Sequence, residues 1–327
     1  MLTKSKSTLF FAISIIVLTS AIPCRAVQLT DGDERKESTA RQSYNNISPE
    51  IPKKVIFAGE EIDLTLQDRR ERMDREMLSF CYSHINTMLQ IKRANRLFPI
   101  IEPILKKNGI PDDFKYLMII ECNGDVEARS AAGAAGPWQF LEKTGRQYGL
   151  EVNGEVDERY DLEKATTAAC KYLKESYEKY GDWLTVAASY NTGRANIDKR
   201  IAAQKEKKAI NIVLLPETSR YIFRLMAAKT IFTAPMKYGF ILRESDLYPI
   251  IKVAKTITIS KPVSSWASIA RKYGLTYFQL HEANPWIRSA SMANKNGKRY
   301  KVRIPDTNSL RYDPEKTKAH DRRWIAE

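Results

Sequence analysis

The sequence predicts a mainly α-helical protein that ends in a small β-α-α-β unit. Three observations carry this: apolar residues recur at steps of three and four through most of residues 68–235, short Gly- and Pro-marked loops separate those stretches, and the pattern changes to β-branched runs after Asp246. The chain has 327 residues, 43% hydrophobic and 28% charged, which is the composition of folded domains and excludes a disordered or membrane-filling chain. At about 100 to 200 residues per domain, this length suits two cores.

The first segment reads as an address. Lys4 and Lys6 precede the apolar run Leu9 to Leu18, too short to span a bilayer, and it is followed by Ala21 to Ala26. Residues 1–26 are therefore expected to be a secretory signal peptide, cleaved after Ala26 or alternatively after Ala21. Cys24 leaves a lipid-anchored alternative, against which stand Ile22 and Pro23, since a lipid-attachment site calls for small residues there. With no other apolar run near 18 residues, the expectation is a protein exported to the periplasm or cell envelope, with outer-membrane or wall association left open. Removing Lys4, Lys6 and Arg25 takes the net charge from +14 to +11. Such a balance attracts an anionic partner (nucleic acid, a membrane surface or a wall polymer), or else reflects solvated lysines with no partner.

Residues 27–54 are polar, offer no apolar face and read as a flexible tether. Val55, Phe57, Ile62, Leu64 and Leu66 then alternate, predicting a short extended segment that docks on the helices C-terminal to it. Asp68 to Lys92 shows helical spacing through Met73, Met77, Phe80, Cys81, His84 and Met88, all read as packing positions, His84 included. Further helices are predicted at Leu97–Lys107, Asp112–Glu121, Trp138–Tyr148, Leu162–Tyr180, Trp183–Ser189 and Glu217–Phe232. Gly109 and Pro111 separate two of them, and Asp112 or Asp113 caps the second. Together these define a helical domain over 55–245. A strand within Ile250–Ile259, helices at Ser265–Tyr273 and Tyr277–Glu282, and a strand at Tyr300–Ile304 make a second unit over 250–306. Residues 307–327 read as a solvated basic tail.

The chemistry centres on Glu121. Phe114, Leu117, Met118 and Glu121 stand at offsets 0, 3, 4 and 7, which puts a carboxyl on the apolar face of its own helix. Desolvation, and then the negative helix end near Gly124, should raise its pKa and suit it to donate a proton near neutral pH. The plain alternative is a buried glutamate paired with a core Arg or Lys. Ser130 to Phe140 is a run of small residues ending Gly136-Pro137-Trp138-Gln139, a backbone that can approach a ligand and then an aromatic face and an amide. Sugars are commonly held by such groups. Further on, Tyr190-Asn191 precedes Gly193; Tyr190 could bond the carboxylate and Asn191 a sugar, or the stretch is a C-cap turn. Asp125, Glu127, Asp157 and Glu158 fall in polar stretches and read as solvated or capping residues. Neither the four cysteines nor the three histidines show metal-ligand spacing, so neither metal nor cofactor is expected.

Glu121-Cys122, Ala132 to Phe140, Ser189 to Gly193 and Leu215-Pro216-Glu217-Thr218-Ser219-Arg220-Tyr221 resemble, in order and spacing, the lytic murein transglycosylases of the soluble lytic transglycosylase family, in particular their membrane-bound D-like branch. The resemblance covers about residues 55–240. It implies a goose-lysozyme-like helical fold and cleavage of peptidoglycan between N-acetylmuramic acid and N-acetylglucosamine, with the muramyl 6-hydroxyl closing to a 1,6-anhydro product. It further implies Glu121 as sole acid and then base, Gln139 and Asn191 as sugar-holding residues, Tyr190 and Tyr221 along the cleft, and Trp138, Gly136 and Cys122 as substrate-contacting neighbours. An internal nucleophile needs no second carboxylate to activate water. Cys122 and Pro137 depart from the family's usual Ser and Leu, and the Cys122 thiol is a poorer hydrogen-bonding group.

Thr256 to Pro305 resembles a LysM domain through Ser265 to Leu275 and Leu280 to Pro285, although Pro262-Val263-Ser264-Ser265 replaces the usual Gly-Asp-Thr turn. The resemblance implies binding of N-acetylglucosamine-containing glycan by Asn284 and the loops after Lys261 and Pro285, or a degenerate packing module. The expected partner is thus the peptidoglycan glycan strand and not nucleic acid, which would explain the charge but not Glu121. A hydrolytic muramidase and a non-catalytic glycan-binding protein are the rival readings. Removing everything after about residue 245 is expected to weaken wall binding and preserve chemistry.

Overall fold

The computed structural model describes residues 47–326; the signal-peptide region, Cys24 and most of the 27–54 tether lie outside the described residues. The expected extended segment is a hairpin of β1 (Lys54–Phe57) and β2 (Glu60–Asp63), turned at Ala58-Gly59 with both residues at positive φ. Val55, Phe57 and Ile62 face the core, as period-two alternation requires.

Eight helices come next: α1 (Gln67–Tyr82), α2 (His84–Lys107), α3 (Phe114–Cys122), α4 (Glu142–Gln147), α5 (Leu162–Tyr180), α6 (Trp183–Thr192), α7 (Arg194–Gln204) and α8 (Pro216–Thr233). α8 is buried nearly all round, from Tyr221 to Phe232, and packs against α1, α3 and α6. Pro216 opens it at a position where the missing N–H costs nothing. Asp161 and Asp182 cap α5 and α6, each accepting a backbone N–H from the first turn.

Several boundaries differ from the expectation. The chain breaks at Ser83 rather than near Lys92, and α2 then runs unbroken through Pro99 and Pro103. His84 opens that helix at the surface, its ring 5.2 Å from Phe240, so it is not a core position. Trp138 to Leu141 is loop, because Gly136 and Gln139 both take positive φ, and only Glu142–Gln147 is helical. α7 is an additional helix; its sparse apolar content, with Ile197 alone buried, hides it from periodicity.

The C-terminal unit is β3 (Val253–Ile259), α9 (Trp266–Lys272), α10 (Tyr277–Ala283) and β4 (Tyr300–Pro305), with β3 and β4 antiparallel from Thr256↔Arg303 to Ile259↔Tyr300. The β-α-α-β order is as expected. Its core holds Trp266, Leu280, Trp286 and Val302, and also Val156 from the helical region. From Ser48 onward the chain clusters as one unit.

Residues 307–326 are largely exposed, as a basic tail would be, but they are anchored to the helical region. Trp324 is buried with its indole N–H donating to the Phe232 carbonyl at 2.9 Å, and its ring lies 5.8 Å from Phe98 and 6.1 Å from Phe232. Basic composition concealed a single aromatic anchor.

Candidate active site

α3 and α8 meet so that the Tyr221 hydroxyl donates to Oε1 of Glu121. Leu117 and Met118, fully buried one turn back, form the apolar floor. Desolvation is the dominant influence on Glu121 and pushes its carboxyl up to about 7, against the lowering effect of the Tyr221 hydrogen bond and the Arg224 charge; Glu217 adds a smaller upward push. At neutral pH the group is therefore divided between acid and carboxylate, the condition under which one residue can give a proton and later take one. Tyr221 itself is held well above the ordinary phenol range, chiefly by burial and then by Glu121, so it stays a donor.

A buried glutamate paired with arginine does exist here, but it is Glu76 on α1. Its oxygens meet Arg220 at 2.7 Å and Arg224 at 3.2 Å. Arg224 also reaches Glu217 at 3.2 Å. Glu76, and Glu217 beside Glu121, are thus ion-paired with guanidinium groups, while Glu121 has a phenol as its hydrogen-bond partner.

The other expected site residues divide. Tyr190 bonds not Glu121 but the Trp138 carbonyl, at 2.7 Å, with its ring 5.1 Å from Tyr172. Burial first, and then the Glu121 charge, raise its pKa well above normal, which puts it in electrostatic reach of the acid. Asn191 accepts from Thr218 Oγ1 at 2.9 Å, leaving its amide N–H groups without a partner among the described residues. Thr218 sits one turn before Tyr221 on α8, a three-residue spacing that could have singled it out. Gln139 keeps φ at 46° and donates from Nε2 to the carbonyls of Gly136, 2.8 Å, and Ala128, 3.0 Å. Its side-chain oxygen has no partner among the described residues. A strained non-glycine residue whose amide is braced from one side is a pre-positioned acceptor.

Three of the expected contact residues are buried. Trp138 is fully buried, its indole N–H on Thr166 Oγ1 at 2.9 Å, and presents no face to a sugar. Gly136 is required by packing: a Cβ there would stand 1.9 Å from the Arg159 carbonyl oxygen. Cys122 is buried, its thiol turned to the Met118 carbonyl at 3.2 Å and pushed up to about 12 by burial, which holds it as a neutral, enclosed thiol. Cys81, Cys122 and Cys170 are all buried free thiols.

Arg159 lies in a polar stretch whose sequence gives no sign of its role. Its guanidinium is clamped by Asp157 at 2.7 to 3.2 Å and donates to the carbonyls of Gly133 and Phe140, both at 3.0 Å, tying the two ends of the Gln139 loop together. Asp157 is thus a buried structural acid. On the C-terminal unit, Asn284 is fully buried and bonded to Leu280 and to both backbone groups of Arg303, so it cannot contact glycan. Trp286 and Ile287, after Pro285, are also buried, whereas Lys261 to Ser265 line an open hollow of about 550 Å³. Among the described residues, Glu127, His281 and Glu282 bring possible ligand atoms within 4.8 Å of one another, but Arg288 already occupies Glu127 Oε1 at 3.0 Å.

Known proteins match the chain along the same division. Residues 98–213 match the transglycosylase SLT domain, and residues 255–308 match the soluble lytic transglycosylase C-terminal LysM-like domain. The membrane-bound lytic murein transglycosylases D of Escherichia coli strains K12 and O6:H1 are each 29% identical over 257 residues, which is 76% of this chain and 55% of theirs. The chain therefore spans about half the length of these curated relatives. Among solved structures, the 70 kDa soluble lytic transglycosylase of Escherichia coli aligns at 17% identity with a TM-score of 0.38, covering 50% of this chain and 29% of that one. The chain carries a transglycosylase SLT domain joined to a LysM-like C-terminal domain, and is a distant homologue of the membrane-bound lytic murein transglycosylase D.

Proposed function

We propose that the protein is a peptidoglycan lytic transglycosylase of the cell envelope that cleaves the β-1,4 bond between N-acetylmuramic acid and N-acetylglucosamine. The observation that carries this reading is the state of Glu121: a carboxyl poised near neutrality in an apolar setting, held by one phenol, with the neighbouring Glu217 already paired with Arg224. In the forward step Glu121 gives its proton to the glycosidic oxygen as that oxygen's bond to the muramyl anomeric carbon breaks. The muramyl 6-hydroxyl oxygen then bonds to the anomeric carbon, and its proton returns to the Glu121 carboxylate. Tyr221 fixes the carboxyl's orientation through both steps. Asn191 and the Gln139 oxygen, each with open hydrogen-bonding capacity, would hold sugar substituents.

The helical region 55–245 would supply this chemistry and the unit 250–306 would add affinity for the glycan strand, through the hollow at Lys261 to Ser265. No helix among the described residues is long and apolar enough to cross a membrane. The test is mass spectrometry of soluble products from purified peptidoglycan with the intact protein and with Glu121→Gln. Products one water lighter than hydrolytic fragments, absent from the variant, are expected. Reducing-end products would make it a muramidase, and no products would leave a glycan-binding protein.

A further inference from the structure

The C-terminal unit is built into the helical region rather than hung from it. Val156 pairs with Ile287 as a β-bridge, the Asp157 N–H donates to the Trp286 carbonyl at 2.9 Å, and the Arg288 N–H donates to the Glu155 carbonyl at 2.9 Å. Val156 thereby becomes part of the C-terminal core. These contacts bear on the Gln139 loop from both sides. On one side, Asp157, whose backbone is tied to Trp286, clamps the Arg159 guanidinium that binds Gly133 and Phe140. On the other, Arg288 lies 4.2 Å over the Tyr160 ring and holds Glu127 at 3.0 Å, next to Ala128, whose carbonyl accepts from both Gly136 N–H and Gln139 Nε2.

We propose that the segment Trp286–Arg288 of the C-terminal unit is a positioning element for the Gln139 loop, with Arg288 the residue through which it acts. This rests on the transglycosylase reading only for its activity readout. It departs from the expectation of a detachable binding module: removing the unit would strip one strand-like partner from residues 155–157 and unseat the loop that carries Gln139. Placement errors of about an ångström in such a loop cost up to about a hundredfold in rate.

The test is a double-mutant cycle in the full chain between Arg288→Ala and Gln139→Ala, with Lys298→Ala as a control. Lys298 pairs with Glu151 across the same interface, 2.7 Å, without touching the loop. Arg288→Ala is expected to lower kcat/KM on peptidoglycan about tenfold alone but less than about twofold once Gln139 is Ala, because coupled residues are not additive. Lys298→Ala should multiply independently with Gln139→Ala. Amide hydrogen exchange over residues 128–140 should speed up at least about fivefold in Arg288→Ala and stay unchanged in Lys298→Ala, a readout that needs no activity. Effects of Arg288→Ala and Gln139→Ala that simply multiply, or unchanged exchange in the loop, would overturn the proposal. An inactive parent protein would instead overturn the transglycosylase reading and leave the exchange result to decide this one. Should Arg288→Ala not fold, Glu127→Gln breaks the same pair from the other side and must give the same pattern.

Discussion

The Tyr221 hydroxyl is hydrogen-bonded to Oε1 of Glu121, joining the end of α3 to the buried face of α8. A phenol in this place favours the ionised carboxylate, while the apolar surroundings favour the acid, and the second effect is the larger. Removing the phenol therefore has a definite sign. In Tyr221→Phe the Glu121 pKa should rise above about 7, shifting the alkaline limb of the pH–rate profile upward, with a rate loss of about tenfold from poorer orientation. An unmoved limb would mean that the hydrogen bond does not tune the acid.

The same elevated pKa makes Glu121 a stability liability. Its folded pKa, about 7, lies above the ordinary value of 4.5, so the folded state binds this proton more tightly than the unfolded chain. Stability is fully present below about pH 4.5 and is lost as pH rises through about 7. Glu121→Gln should then raise the melting temperature at pH 8, by a stabilisation on the order of 3 kcal/mol at most, and change little at about pH 4.5. Thermal melts at the two pH values check it; equal shifts at both would contradict the desolvated carboxyl.

Gly136 and Gly133 both take positive φ, but only one is crowded. A Cβ at Gly136 would collide with the Arg159 carbonyl, whereas nothing lies within 4 Å at Gly133. Gly133→Ala should cost about 1–2 kcal/mol, the left-handed backbone penalty alone. Gly136→Ala should cost about 3 kcal/mol or more and abolish activity, since the Arg159 backbone must shift. Denaturant melts of the pair separate the two causes.

The C-terminal residues should matter for the helical region's stability. Trp324→Ala removes a buried indole from between Phe98 and Phe232 and is expected to cost about 3–5 kcal/mol, while Arg322→Ala nearby at the surface changes stability by less than about 0.5 kcal/mol. Similar melting temperatures for the two variants would show that the tail does not anchor the domain.

Local pattern made much of this protein legible. The apolar offsets around Glu121, the Asp161–Leu162 start of α5, and the period change after Asp246 are short-range properties, written in residues within a turn or two of each other. They sufficed for the mainly helical class, the β-α-α-β unit and the candidate acid. The remainder depended on residues distant in the chain. Glu76 and Glu121 look alike in sequence, each on an apolar helical stripe, and only the arrival of Arg220 and Arg224 from α8 separates an ion-paired acid from an unpaired one. Trp138 and Gly136 carry the composition of a ligand loop, yet Thr166 and Arg159 turn them into packing residues. Likewise a basic tail became a core contact through Trp324, and the C-terminal unit became a support through Val156, Trp286 and Arg288. Sequence determines which side chains must leave water; tertiary structure decides which partner each one meets there, and for charged and polar groups the partner sets the chemistry.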